Sequence, residues 1–424
     1  MSKDFYNTSR IPKNWKSCRL KYILSFSENL SLNPSKEKNL SLTQNGIIEK
    51  DISTNEGQIA KSYDKYILVK KGQISMNPMD LLTGWVDISS LDGIISPAYY
   101  TFDIKKNFDV KFVNYFFQSN YYRKTFFKLG KGVASHDNFG RWVLSPEELK
   151  NIYFFYPNHE EQKSISKYLD NKTKRIDLLI SKVKKKIELL KMQKRLLISH
   201  YITKGADKNA ELIDSGLEWV GKMPKHWKMR KINHVTDSIG SGTTPKSDDR
   251  SYYDNGKYNW LVTGDLNDGV ITKTSNKVSE KALSDYTSLK VYKTNSLMIA
   301  MYGATIGKLG ISKIETSVNQ ATCVLTIDKV NDIEFWFYVL LGHREYIISQ
   351  GYGGGQPNIS QDLIKGLRFP SPIDLNEQKK IARLLNEKLM NHNKLTKKEI
   401  NRLQLLNEYR KSLISNVVSG NIKI

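Results

Sequence analysis

The sequence predicts an α+β protein: two similar mixed α/β domains separated by two long helices that form an antiparallel coiled coil, the whole pseudo-twofold. Three observations carry this. Leu144–Gly205 is repeated, with drift, as Ile359–Gly420. Each copy ends in a long helical run. The stretches before those runs mix β-branched residues with Gly, Asn and Asp breaks, the pattern of short strands and turns. Within the repeat, Glu161-Gln162 matches Glu377-Gln378 at an offset of 216, from 161 to 377, and Leu197-Ile198-Ser199 matches Leu413-Ile414-Ser415 at the same offset. In a chain of 424 residues this period is too long for a solenoid and implies two copies of one unit.

The first domain is expected over residues 1–157. Its entry, Ile11-Pro12-Lys13-Asn14-Trp15-Lys16, recurs as Met223-Pro224-Lys225-His226-Trp227-Lys228 and opens a second domain over residues 206–372. A polar connector, Thr203–Asp214, carries Gly205 as a helix stop. A weaker repeat lies inside the domains. Gly84, Ile88, Ser96 and Ala98 align with Gly307, Ile311, Asn319 and Ala321 at an offset of 223, from 84 to 307.

Long helices are expected over 158–205 and 373–424. In the first, Leu169, Ile176, Val183, Leu190 and Leu197 form one heptad row, and Ile180, Ile187 and Tyr201 occupy the other, with no Pro or Gly interrupting. In the second, Leu385, Leu406 and Leu413 hold one row and Leu389, Leu403 and Val417 the other. His392, Thr396, Glu399 and Arg410 also fall on these rows and make that seam less regular. Roughly 42 residues at 1.5 Å each give a rod of about 60 Å. Paired within the chain, the helices would put one domain at each end of that rod; the alternative is that each packs on its own domain. Lysines such as Lys182, Lys184, Lys185, Lys191 and Lys194 make the outer face a solvated surface or a docking surface.

Composition narrows the partner. With 66 Lys and Arg against 43 Asp and Glu, the net charge is +23, which suits a polyanion because each neutralised phosphate releases counterions. Charge alone does not separate DNA from RNA or from an acidic membrane surface. No apolar run approaches the roughly 20 residues needed to span a bilayer, and Met1–Trp15 lacks the apolar core of a signal peptide. Two distant cysteines, Cys18 and Cys323, with no CxxC, fit a reducing cytoplasm and neither a disulfide framework nor a zinc site.

Catalytic signatures are missing. Gly303–Leu309 resembles a P-loop but has one residue too few between its glycines, and Leu309 stands where the Mg²⁺-binding Ser or Thr belongs. Asn77-Pro78-Met79-Asp80 lacks the second Pro and the aromatic of the amino-methyltransferase motif. No proline precedes an Asp, so the Pro-Asp…Asp/Glu-x-Lys nuclease pattern is absent and Glu148-Leu149-Lys150 stands alone. The seven histidines show no HxxxH or HExxH spacing, and there is no GxSxG. These absences together favour a binding protein, with an enzyme of unrecognised site, a nuclease or DNA methyltransferase, as the alternative. A coiled-coil scaffold or RNA-binding protein is the third reading.

The ordered set of motifs resembles the specificity (S, or HsdS) subunit of Type I restriction–modification systems. These are the Pro-x-x-Trp entries, Glu-Gln after a Pro at each helix, Gly240-Ser241-Gly242-Thr243-Thr244-Pro245, Tyr252-Tyr253, Trp260, Gly264-Asp265-Leu266, Gly303–Lys308, Asn319-Gln320 and Gln356-Pro357-Asn358-Ile359-Ser360. In the first domain, Asn77–Gly84 and Ser96–Tyr99 resemble a variant of the same pattern. The resemblance covers nearly the whole chain. It implies two target-recognition domains, each reading one half of a bipartite double-stranded DNA site. It implies that the helices hold two methyltransferase (M) subunits, with restriction/translocase (R) subunits joining them. It also implies that S-adenosylmethionine, ATP and Mg²⁺ belong to those partners, so that this chain carries no cofactor, metal or catalytic residue.

Base reading calls for Arg or Lys against guanine and Asn or Gln against adenine, with Thr, Ser, Lys and Arg on phosphates. Loops rich in these types supply the candidates. In the first domain they are Asn77, Lys131, His136, Asn138 and Arg141. In the second they are Thr243, Thr244, Lys246, Arg250, Tyr252, Tyr253, Tyr302, Thr305, Lys308, Gln356 and Asn358. The competing reading of each is a turn residue: Gly351–Gly355 as a flexible loop, Asp265 as a cap. Trp15 and Trp227 read as core anchors.

Overall fold

The computed structural model describes residues 11–31, 33–43, 46–50, 60, 62–79, 85–133, 141–353 and 358–424. The chain divides into two compact units, Met1–Lys185 with Glu399–Ile424, and Lys186–Lys398. The central helix His159–Lys204 and the C-terminal helix Leu375–Val418 therefore each contribute one segment to each unit.

In the first unit an antiparallel sheet orders its strands Leu24–Phe26, Tyr100–Ile104, Ile74–Met76 and Val86–Ile88. Val110–Phe117 packs an aromatic cluster against it, with Phe112 and Phe117 fully buried beside Phe102 and Phe154. In the second unit a five-stranded sheet orders Thr236–Gly240, Thr322–Ile327, Ser296–Ala300, Leu309–Ser312 and Gly269–Ile271, only the last pair being parallel. Ile333–Gly342, apolar nearly all round, covers it through Phe335 and Trp336, both fully buried.

The weak internal repeat is written into the strand registers. Ile74 pairs with Ile88 and with Phe102; Leu297, 223 residues on, pairs with Ile311 and with Leu325. Each unit is closed the same way, its entry strand pairing with the strand that precedes the long helix. Lys16–Arg19 lies against Tyr153–Tyr156, and Lys228–Lys231 against Arg368–Ser371.

The repeated Glu-Gln pair joins head to helix. Trp15 Nε1 donates to Glu161 Oε1 at 3.2 Å, and Trp227 Nε1 donates to Glu377 Oε1 at 2.9 Å. Asp109 and Asp332 cap the head helices by accepting from Phe112 N and Phe335 N. Their own N–H groups donate to Gln162 Oε1 at 3.0 Å and Gln378 Oε1 at 2.8 Å. The same amides donate from Nε2 to the Pro157 and Pro372 carbonyls. Both glutamines are buried, and the oxygen and nitrogen of each amide have a partner, which limits the desolvation cost.

The helix segments run antiparallel within each unit. In the first, Leu169, Ile176 and Ile180 pack with Leu413, Ile414 and Val417, and Arg410 Nε donates to Asp177 Oδ1 at 2.8 Å. The end of the C-terminal helix meets the entry there, since a Cβ on Gly420 would stand 2.4 Å from Pro12. In the second, Ile198 and Ile202 share a core with Leu385 and Leu389, and Lys194 Nζ donates to Asn393 Oδ1. Gly205 ends the central helix at φ +75, a left-handed stop that glycine takes without steric cost. The expected polar connector, Thr203–Asp214, ends in the first strand of a hairpin, Leu212–Asp214 paired with Lys222–Pro224. The hairpin loop lays Trp219 flat on Tyr346, ring centroids 3.8 Å apart.

Trp219 and Phe369 also enclose His343, which is 7% exposed. Burial lowers its pKa to about 4, against one favourable bond to the Val339 carbonyl. Between pH 6.5 and 4 the unfolded chain therefore binds a proton that the folded unit refuses, so stability falls as pH falls through that window. A shift of this size is worth about 3 kcal/mol. Urea unfolding of the second unit should show this loss between pH 7 and pH 4, and His343→Phe should flatten it. An equal slope in the variant would remove His343 from the account.

Candidate nucleic-acid interface

Most candidate residues of the second unit gather at one end of its five-stranded sheet. Gly240 and Ala300 end strands there, and Leu309 and Thr322 begin them. The Gly240–Pro245 segment crosses this end closely, because a Cβ on Gly242 would lie 1.8 Å from the Val318 carbonyl oxygen. Thr244 is exposed and its hydroxyl donates to Gln320 Oε1 at 2.5 Å. Ser241 is held twice, its hydroxyl accepting from Gln361 Nε2 at 2.7 Å and its carbonyl from Tyr292 OH. Thr243 offers its carbonyl to Trp260 Nε1.

The rest of this loop rests on the small sheet formed by Asn276–Val278, Tyr258–Leu261 and Ser317–Val318. Lys246 N–H donates to Tyr286 OH, and Tyr253 OH donates to the Pro245 carbonyl at 2.6 Å. Tyr252 OH donates to Asp285, with Lys281 over its ring at 5.0 Å. Tyr252 and Tyr253 are thus half-buried props of the loop, whereas Lys246 and Arg250 are exposed.

Gly303–Thr305 forms a single turn between antiparallel strands, so Lys308 leads into a strand and not the helix that a phosphate cradle requires. Tyr302, Thr305 and Lys308 are half-buried around it. Ile359 N–H donates to the Met301 carbonyl at 2.8 Å, which fixes exposed Asn358 beside this turn. Asn358 exchanges two backbone bonds with Tyr352, whose side chain is 76% exposed. Tyr352 sits between two glycines and looks from sequence like loop filler; its presentation comes from this bridge. Gln320 and Gln361 also acquire their positions from tertiary contacts. Asp265 caps a turn, accepting from Val262 N and from Ser275.

In the first unit Asn77 stands at the equivalent sheet end, just after Met76, and its Oδ1 accepts from Met79 N at 3.0 Å. It lines a cavity with Trp85, Tyr122 and Arg123. Lys131 and Arg141 lie on paired strands, opposite Val143 and Val133. His136, Asn138 and Gln356 lie outside the described residues.

Among the described residues no cluster of three or more His, Cys, Asp or Glu could hold a metal ion, and no helix is long and apolar enough to cross a membrane. Cys323 is buried in the core, where burial pushes its thiol up to about 12, a packing residue and not a nucleophile.

A family model described as the Type I restriction modification DNA specificity domain matches residues 224–405. The chain is 24% identical over 358 residues to the Type I restriction enzyme MjaIX specificity subunit of Methanocaldococcus jannaschii, covering 83% of this chain and 74% of that one. Its fold is similar to that of a chain solved in work on complex assembly and conformational transition of the type I R-M system. That match has a TM-score of 0.72 and 12% identity, over 97% of this chain and 99% of the other. Residues 224–405 thus match a Type I restriction modification DNA specificity domain, and most of the chain is similar to a Type I specificity subunit.

Proposed function

We propose that each unit reads one half of a bipartite, asymmetric duplex DNA site, in the cytoplasm, and that two methyltransferase subunits dock on the helices, with restriction/translocase subunits joining them. S-adenosylmethionine, ATP and Mg²⁺ are taken up by those partners. The carrying observation is one scaffold built twice, with matched registers and matched Glu-Gln joints, bearing different loops at the same sheet end. The net charge of +23 supports a polyanionic target. Mapping methylated adenines in a host with and without the gene tests the reading. A two-part motif should vanish on deletion; an unchanged map would overturn it.

Docking of two partners is supported by a duplicated apolar surface. Leu179 and Leu395, at the 216-residue offset, are 41% and 39% exposed; Leu189 and Leu405, at the same offset, are 57% and 64% exposed. The first unit thereby carries Leu179 and Leu405, the second Leu189 and Leu395. Each leucine buried in an interface contributes about 1.5–3 kcal/mol. Leu179→Asp with Leu405→Asp should therefore weaken one docking event by roughly a hundred-fold or more. Native mass spectrometry should then find one methyltransferase per chain where the parent holds two; two retained copies would mean that the partner sits elsewhere.

A further inference from the structure

We infer that Arg344, acting through Asp268, is a positioning residue for base reading by the second unit. The inference deepens the proposed function and rests on it. Asp268 holds a left-handed backbone, φ +59, unusual for a residue with a side chain. From there it grips the start of the strand after the Tyr302–Lys308 turn. Its N–H donates to the Leu309 carbonyl at 2.9 Å, and its Oδ1 accepts from Leu309 N at 3.0 Å. The same Oδ1 accepts from the Arg344 guanidinium. The aliphatic stem of Arg344 covers the turn itself, since a Cβ on Gly307 would lie 3.0 Å from Arg344 Cγ and from Ile348 Cδ1.

One side chain thus ties together three segments: the Asp268 bend, the glycine turn and the short helix Arg344–Ser349, which leads into the Tyr352 bridge. The turn pivots on Gly303 at φ +80 and Gly307 at φ +73, so its own backbone is permissive. The two side chains keep 25% and 33% of their surface in solvent, and ion pairs so exposed contribute little to folding. What the pair supplies is geometry: it fixes the presentation of Tyr302, Thr305, Lys308 and Tyr352. The position 223 residues before Arg344 is Tyr121, so the clamp belongs to the variable part of the second unit and not to the shared scaffold.

The test uses the chain assembled with its methyltransferase, on a library of all single-base variants of both half-sites. Arg344→Met keeps the stem over Gly307 and removes the charge. Asp268→Asn keeps the bond from Leu309 N and tolerates the left-handed backbone, so it guards against a folding defect. Both should lower discrimination among second half-sites by about ten-fold, the scale of one base contact. The first half-site should read as in the parent, with thermal midpoints held and partial rescue in Arg344→Lys. Unchanged discrimination in both variants, or equal losses at the two half-sites that follow a fall in thermal midpoint, would overturn the inference. A parent complex that methylates no bipartite site would instead overturn the functional reading on which it stands.

Discussion

Trp227→Ala should unfold the second unit under conditions in which the parent stays folded. Trp227 is 2% exposed and fills the joint between the entry strand, Phe335 and Gly205. Truncating a buried tryptophan costs about 3–5 kcal/mol. The loss also leaves the Glu377 carboxylate without its indole donor, His226 at 3.0–3.2 Å being already engaged with it. Trp227→Phe keeps most of the volume and removes the hydrogen bond to a charged group, for about 2 kcal/mol. Denaturant unfolding should rank parent, Phe and Ala in that order. Hydrogen exchange should localise the change to residues 186–398 and leave the strands at 74–76 and 100–104 as protected as before. A uniform loss of protection in both units would show that the joint is not local.

Gly242→Ala should abolish recognition by the second unit while leaving the protein folded. A methyl group at this position cannot coexist with the Val318 carbonyl 1.8 Å away, so the Ser241–Pro245 backbone must move. The bonds from Gln361 to Ser241 and from Thr244 to Gln320 go with it. Losing one or two base contacts at about 1–3 kcal/mol each lowers binding by roughly a hundred-fold. Gly264→Ala is the control, because nothing lies within 4 Å of its Cβ. Methylation assays on sites altered in one half should show second-half discrimination lost in Gly242→Ala and kept in Gly264→Ala. Parent-like behaviour of Gly242→Ala would remove this loop from the interface.

The two-copy fold is legible in the sequence because duplication leaves a direct trace: the 216- and 223-residue offsets reappear as paired joints and paired registers. Heptad spacing likewise marks Leu169, Ile176, Val183 and Leu190 as buried. It fails at Leu197, which is half-buried while Ile198 and Ile202 are buried. A straight helix drifts against a seven-residue repeat, and here the second unit's core takes over the pattern, Ile202 filling the space beside Gly342. The Glu-Gln pairs are visible as a repeat, but their purpose is not, because Trp227 and Asp332 reach them from 150 and 46 residues away. The loops show the same limit. Composition marks Tyr252 and Tyr253 as candidates for contact, yet their hydroxyls are engaged with Asp285 and Pro245. Tyr352, without a compositional signal, is 76% exposed beside the glycine turn.

The matched joints have a genetic consequence. A recombination event that delivers a new head brings Trp, Asp and Pro together, and it meets the same Glu and Gln at either helix. On the proposed reading, heads can therefore be exchanged as cassettes, with no compensating change at the seam.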